Sequence, residues 1–155
     1  MKISGKGKKK AVICLGACAA LIIGAYFFMK MRGPEGPIAR YNAAMAKDDV
    51  GGATPQATLD LFVAALRAND AEKAAGYFML DDDLSRTTWT DRLIQLKEKG
   101  LLGRMADDIS KMAQATKPAY EGDAEFEILN NDGSVGALID MERNKFSGVW
   151  KLQSF

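Results

Sequence analysis

Histidine is absent from all 155 residues. Its absence removes the commonest general base, the commonest metal ligand and every Ser-His or Cys-His nucleophile pair. Cysteine is almost as scarce. The two that occur, Cys14 and Cys18, both sit inside an apolar run, so the chain beyond that run has neither an internal disulfide nor a thiolate metal site. No Asn-x-Ser/Thr sequon is present. The Asp81-Asp82-Asp83 triplet does not open a calcium loop, because Arg86 stands where such a loop needs glycine and Arg92 where it needs glutamate. Gly100-Leu101-Leu102-Gly103 lacks both the third glycine and the preceding strand of a phosphate-binding turn. No cofactor and no metal is expected.

What is present is unevenly distributed. Charge nearly balances, with 21 basic and 20 acidic side chains, but residues 1–10 hold five lysines (Lys2, Lys6, Lys8, Lys9, Lys10) and no acid. Without those five, the remaining residues carry 16 basic and 20 acidic groups, a net charge of −4. A mildly acidic body lacks the electrostatic footprint of a nucleic-acid binder. From Ala11 to Met29 the chain reads AVICLGACAALIIGAYFFM without a charge. As a helix these residues would span about 28 Å, close to the hydrocarbon thickness of a bilayer. Tyr26, Phe27 and Phe28 suit the membrane interface, and Lys30 and Arg32 follow.

The pattern predicts a basic tail (1–10), a transmembrane helix acting as an uncleaved signal anchor (11–29), a linker (30–53) and a domain (54–155). Denser basic charge before the run than after it predicts a single-pass protein of the cell membrane, N-terminus cytoplasmic and domain extracytoplasmic. Cleavage beside Ala17-Cys18-Ala19, or lipidation through the lipobox-like Leu15-Gly16-Ala17-Cys18, would leave too short an apolar stretch before the cut and strand Leu21–Met29 on the product. Gly16, Ala20 and Gly24, spaced four apart, form a stripe through which two membrane helices could pair as a homodimer. An exported domain of this size without disulfides suits a bacterial envelope.

In the domain, Thr54 is placed to cap a helix whose first position is Pro55. Leu59, Phe62, Val63 and Leu66 follow at the spacing of a buried stripe. Asn69-Asp70 breaks that helix, and Asp70 caps a second one running from Ala71 to about Phe78. Thr88-Trp89-Thr90-Asp91 reads as a capping box for a third helix ending at Gly100, and Met105, Ile109 and Met112 mark a fourth. Beyond Pro118 the period becomes two. Ala124–Ile128 alternates, Asn130-Asn131-Asp132-Gly133 forms a hairpin turn, and Val135, Ala137, Ile139 and Met141 line one face of the next strand. A last strand is expected over Phe146–Phe155, with Phe146, Gly148, Trp150 and Leu152 on one face. Helices followed by an antiparallel meander predict an α+β domain with helices packed on the sheet.

These residues carry a resemblance. Thr54-Pro55 with Leu59, Phe62, Ala65-Leu66 and Asn69 through Ala75, closed by Trp150-Lys151-Leu152, resembles the NTF2-like (cystatin-like cone) superfamily, in particular its lumazine-binding-like membrane-anchored members. The resemblance covers about 100 residues and departs from the family in its helical middle and in showing three readable strands rather than four or more; Thr116–Asp123 is the place for another. It implies a pocket between sheet and helices, for which Tyr77, Trp89, Tyr120 and Trp150 are the candidate lining, with plain core packing as the alternative for all four. It also implies a catalytic alternative. Asp140, on the strand face opposite Ala137 and Ile139, would be the base of a small isomerase or lyase if that face were concave; beside Glu142 it otherwise marks a wet face.

The function expected is that of a membrane-anchored extracytoplasmic binding or scaffold module, non-enzymatic, whose partners are the membrane and another envelope protein. A binder of small apolar ligands is a further alternative. The layout resembles the bitopic scaffold subunit of type IV secretion systems in architecture only.

Overall fold

The computed structural model describes residues 23–33, 36–111, 113–114, 122–130 and 132–154. It divides into two compact units, Met1–Ala43 and Ala44–Phe155. The described part of the first holds helix α1 (23–32) and the start of α2 (Pro37–Lys47).

The expectation of a transmembrane helix is corrected here. Among the described residues no helix is long and apolar enough to cross a membrane. Helix α1 is described over ten residues, about 15 Å and half the hydrocarbon thickness. Lys30 and Arg32 lie within it rather than beyond its end. Residues 11–22, including Gly16 and Ala20 of the small-residue stripe, lie outside the described residues; Gly24 is in α1, where nothing lies within 4 Å of a Cβ placed on it.

The second unit is α+β, as expected. Four helices, α3 (Pro55–Arg67), α4 (Ala71–Ala75), α5 (Thr87–Glu98) and α6 (Leu102–Ile109), precede an antiparallel sheet in the order β1 (Ala113–Gln114), β2 (Asp123–Leu129), β3 (Val135–Arg143), β4 (Trp150–Ser154). The sheet's fourth strand is thus the two-residue β1; of Thr116–Asp123, the stretch proposed for a further strand, residues 116–121 lie outside the described residues and Asp123 is the first residue of β2. Leu59, Phe62 and Leu66 of α3, Leu93 of α5, and Leu102 and Ile109 of α6 are buried against Phe126, Ile139, Met141 and Leu152 of the sheet. The alternation read in Ala137–Met141 therefore aims the apolar set at the helices.

The caps explain where elements begin. Thr54 accepts from the Ala57 amide at 3.1 Å, and Asp70 from the Lys73 amide at 3.0 Å. Three boundaries differ from expectation. Helix α4 ends at Ala75, because Tyr77–Met79 leaves it to pair with β4: the Leu152 amide donates to the Tyr77 carbonyl at 2.9 Å, and Met79 donates back at 2.8 Å. Helix α5 starts one residue before Thr88, with Arg86 at the cap and no side-chain cap bond. Strand β4 begins only at Trp150, because the Asn144 side chain accepts from the Phe146 and Ser147 amides and holds a turn there. Phe146 is consequently exposed.

The compact unit also starts earlier than Thr54. Met45 and Asp48 are buried. The Gly52 amide donates to Thr58 Oγ1 at 2.7 Å, Thr58 Oγ1 donates to the Trp150 carbonyl at 3.0 Å, and the Trp150 amide donates to the Gly52 carbonyl at 3.0 Å. A Cβ on Gly52 would lie 2.6 Å from the Thr58 nitrogen, so this close approach requires glycine. The end of the linker read above is thus tied to β4 through Gly52.

Candidate functional site

Among the described residues of the second unit, a buried ionic cluster, an acidic trough and an apolar groove combine charge or open volume with a defined lining. In the cluster, Asp48 follows α2, Arg86 precedes α5, and Lys151 lies in β4. Lys151 Nζ donates to Asp48 Oδ1 at 2.5 Å and to the Gly76 carbonyl at 3.1 Å. Arg86 donates one guanidinium nitrogen to Asp48 Oδ2 and its Nε to the Phe78 carbonyl. The Asn144 side-chain amide donates to the Met45 carbonyl at 2.8 Å and the Asp48 carbonyl at 3.3 Å. The side chains of Lys151 and Asp48 are 0% and 4% exposed, so one aspartate joins three separate segments inside the fold.

Burial pushes the Lys151 ammonium down to about 8. The hydrogen bond to Asp48 opposes that shift, the Arg86 charge adds to it, and the charges of Asp48 and Asp49 oppose it. The folded chain therefore releases a proton between pH 8 and 10.5 that the unfolded chain still holds. Stability should rise with pH through that window, by on the order of 3 kcal/mol. Tyr77, raised above 10.0 by burial and by Asp70, acts in the opposite sense. The folded chain keeps a proton the unfolded chain loses, so the gain should reverse above pH 10. Urea unfolding from pH 7 to 11 checks both signs, and Lys151→Met should abolish the rise.

The second feature is an open trough of 1200 Å³ bordered by β2, β3 and the β3–β4 turn. In it Asp123 stands opposite Glu142, and Glu125 opposite Asp140. Asp140 is exposed, and Ser154 Oγ donates to it at 2.5 Å. Like charges directly across a ladder repel, which strands tolerate only where water screens them. Asp140 belongs to this wet face, whereas the buried Ile139 and Met141 beside it face the helices.

The third is a groove of 580 Å³ between α5 and α6 on one side and the far end of the β2–β3 hairpin on the other. Leu96, Leu101, Met105, Ile128, Leu129 and Ala137 border it, with Arg104, Asp108 and Lys111 of the α6 region also along its edge. Ile128 pairs with Ala137 and Leu129 with Val135, leaving Gly136 as the extra residue of a bulge. A bulge bends and twists a ribbon, and here Ile128 and Leu129, neighbours on β2, both border the same groove.

The four candidate pocket aromatics are not one constellation. Tyr77 is buried with its ring edge-on to Phe62 at 6.5 Å. Trp89 stacks on Phe78 at 4.1 Å and carries Arg92 on it at 4.9 Å. Trp150 is half-buried and borders the acidic trough. Tyr120 lies outside the described residues. Asp81 is held by the amide and hydroxyl of Ser85, at 2.8 and 2.9 Å, and these bonds lower its pKa. Among the described residues no group of three or more His, Cys, Asp or Glu side chains is placed to hold a metal ion.

Neither the ionic cluster nor the groove is visible to sequence reasoning. Lys151 between Trp150 and Leu152 reads as an outward strand residue, and Asp48-Asp49 as solvated linker. Leu96, Met105 and Ile109 read as core, and alternation alone cannot reveal the bulge at Gly136.

No protein-family model, no curated protein and no solved structure matches this chain.

Proposed function

We infer that the chain is a non-enzymatic binding module held at a membrane, with its α+β domain on the extracytoplasmic side of a bacterial envelope and another envelope component as its partner. The observation that carries this reading is the state of α1. Ile23, Tyr26, Phe27, Phe28, Met29 and Met31 are between 49% and 68% exposed. Fully burying an aromatic or large aliphatic side chain is worth about 1.5–3 kcal/mol, so these residues together strongly favour an apolar surface. Lys30 and Arg32 on the same helix, with the five lysines of residues 1–10, add attraction to anionic headgroups. The helices-then-meander order of the compact unit supports the NTF2-like resemblance, in which binding between sheet and helices is the common theme. The exposed position of Asp140 on a face shared with Asp123, Glu125 and Glu142 supports binding over proton abstraction, since a catalytic base has to be enclosed together with its substrate.

Sedimentation with phosphatidylglycerol-containing vesicles tests the membrane part. The full chain should pellet with the vesicles, and the chain lacking residues 1–43 should stay in the supernatant, a difference of at least about a hundredfold in partitioning. Full-length protein left in the supernatant, or equal pelleting of both, contradicts the reading.

A further inference from the structure

The groove between α5, α6 and the β2–β3 hairpin has the size of a small-molecule site, within the roughly 300–1,000 Å³ such sites span. Its two kinds of border differ in character. The hairpin side contributes Ile128, Leu129 and Ala137, all apolar, with Asn130, whose amide donates to Ser134 Oγ at 3.0 Å. The α6 side contributes two cations and one carboxylate. Arg104 and Lys111 lie 3.9 and 3.7 Å from Asp108, and their side chains are 81% and 67% exposed. Among the described residues that border the groove, one Asp108 charge stands against two cations, so this edge carries a positive charge beside an apolar floor. Leu101 and Leu129, each about 37% exposed, leave that floor open to solvent. Met105 adds a flexible, polarisable side chain able to adapt to a chain-like ligand.

We propose that this groove binds a single-chain carboxylate amphiphile, its alkyl tail along Leu101, Met105, Ile128 and Leu129 and its carboxylate at Arg104 and Lys111. An apolar tail removes the exposed leucines from water, and a monoanion matches the one uncompensated charge on the rim. Arginine can meet a carboxylate through two parallel N–H bonds. A neutral alcohol of the same length lacks that partner, and an alkylammonium meets a like charge. The proposal deepens the binding reading but does not depend on where the protein resides.

Photolabelling of the purified full chain tests it, with phosphatidylcholine vesicles present and a diazirine-bearing dodecanoate as probe. Adducts should map to the peptides containing Leu101–Met105 and Ile128–Leu129. Unlabelled dodecanoate should suppress them, while dodecanol and dodecylamine should compete about fivefold less well. Arg104→Gln with Lys111→Gln should reduce labelling about fivefold or more while leaving the urea midpoint nearly unchanged, because both side chains are exposed and such surface ion pairs contribute little. Adducts elsewhere, or none, overturn the site. Adducts in the groove on which dodecanol competes as well as dodecanoate overturn the ligand class and leave the binding reading standing. Pelleting in the same samples reports separately on the membrane.

Discussion

Asp48→Ala should lower the unfolding free energy by about 3–5 kcal/mol at pH 7, the usual result of removing one partner from a buried ion pair. The mutation deletes one carboxylate but strands two cations. Among the described residues, Lys151, fully buried, would keep the Gly76 carbonyl at 3.1 Å as its hydrogen-bond partner, and Arg86, 19% exposed, the Phe78 carbonyl. Adding Lys151→Met should restore most of the loss, since an apolar side chain of similar length fills the space and removes the buried charge. Urea unfolding of the single and double variants gives the comparison. A single-variant loss under about 1 kcal/mol would mean that Asp48 is solvated, and the tie between the 44–50 segment, α5 and β4 would fail.

Phe78→Ala should cost a similar 3–5 kcal/mol, in this case through a cavity. Phe78 is fully buried. Its ring meets Phe62 edge-on at 5.6 Å and stacks on Trp89 at 4.1 Å, contacts that add to the burial term. It also lies where the chain forms a parallel bridge with Leu152, so its loss loosens both the helical layer and the sheet edge. Phe146→Ala is the matched contrast. Phe146 is 49% exposed and should change stability by no more than about 0.5 kcal/mol. Equal losses for the two would show that the β3–β4 connection packs as the sequence pattern implied, with Phe146 turned inward.

That contrast marks how much the sequence can say. Period-two alternation located the buried face of β3, because Ala137, Ile139 and Met141 have only two faces to choose between. Thr54, Pro55 and Asp70 located helix starts because their side chains act on amides two or three residues away. The same reasoning failed where a distant group decides. Thr88-x-x-Asp91 has the spacing of a capping box, yet α5 starts earlier and Arg86 instead reaches Asp48, 38 residues before it. Phe146 continues an apolar alternation, yet Asn144 bends the chain and anchors itself on Met45 and Asp48. The run up to Met29 reads as a membrane span by length and charge, while the described helix carries Lys30 and Arg32 within it and no described helix has the length to cross. The groove escaped for a different reason: its lining residues are individually ordinary core types, and only the bulge at Gly136 and the placement of α6 assemble them.

On the proposed function, the protein works by binding at a membrane and not by chemistry at Asp140. Complementation of a deletion strain tests it most directly, comparing the full chain, its Asp140→Asn variant, and residues 44–155 exported as a released domain. Tethering raises the effective concentration of a binding module near its partners, whereas an enzyme depends on its base wherever it diffuses. Full rescue is expected from the chain and from Asp140→Asn, and loss of rescue from the released domain. Rescue by the released domain together with failure of Asp140→Asn would contradict the proposed function.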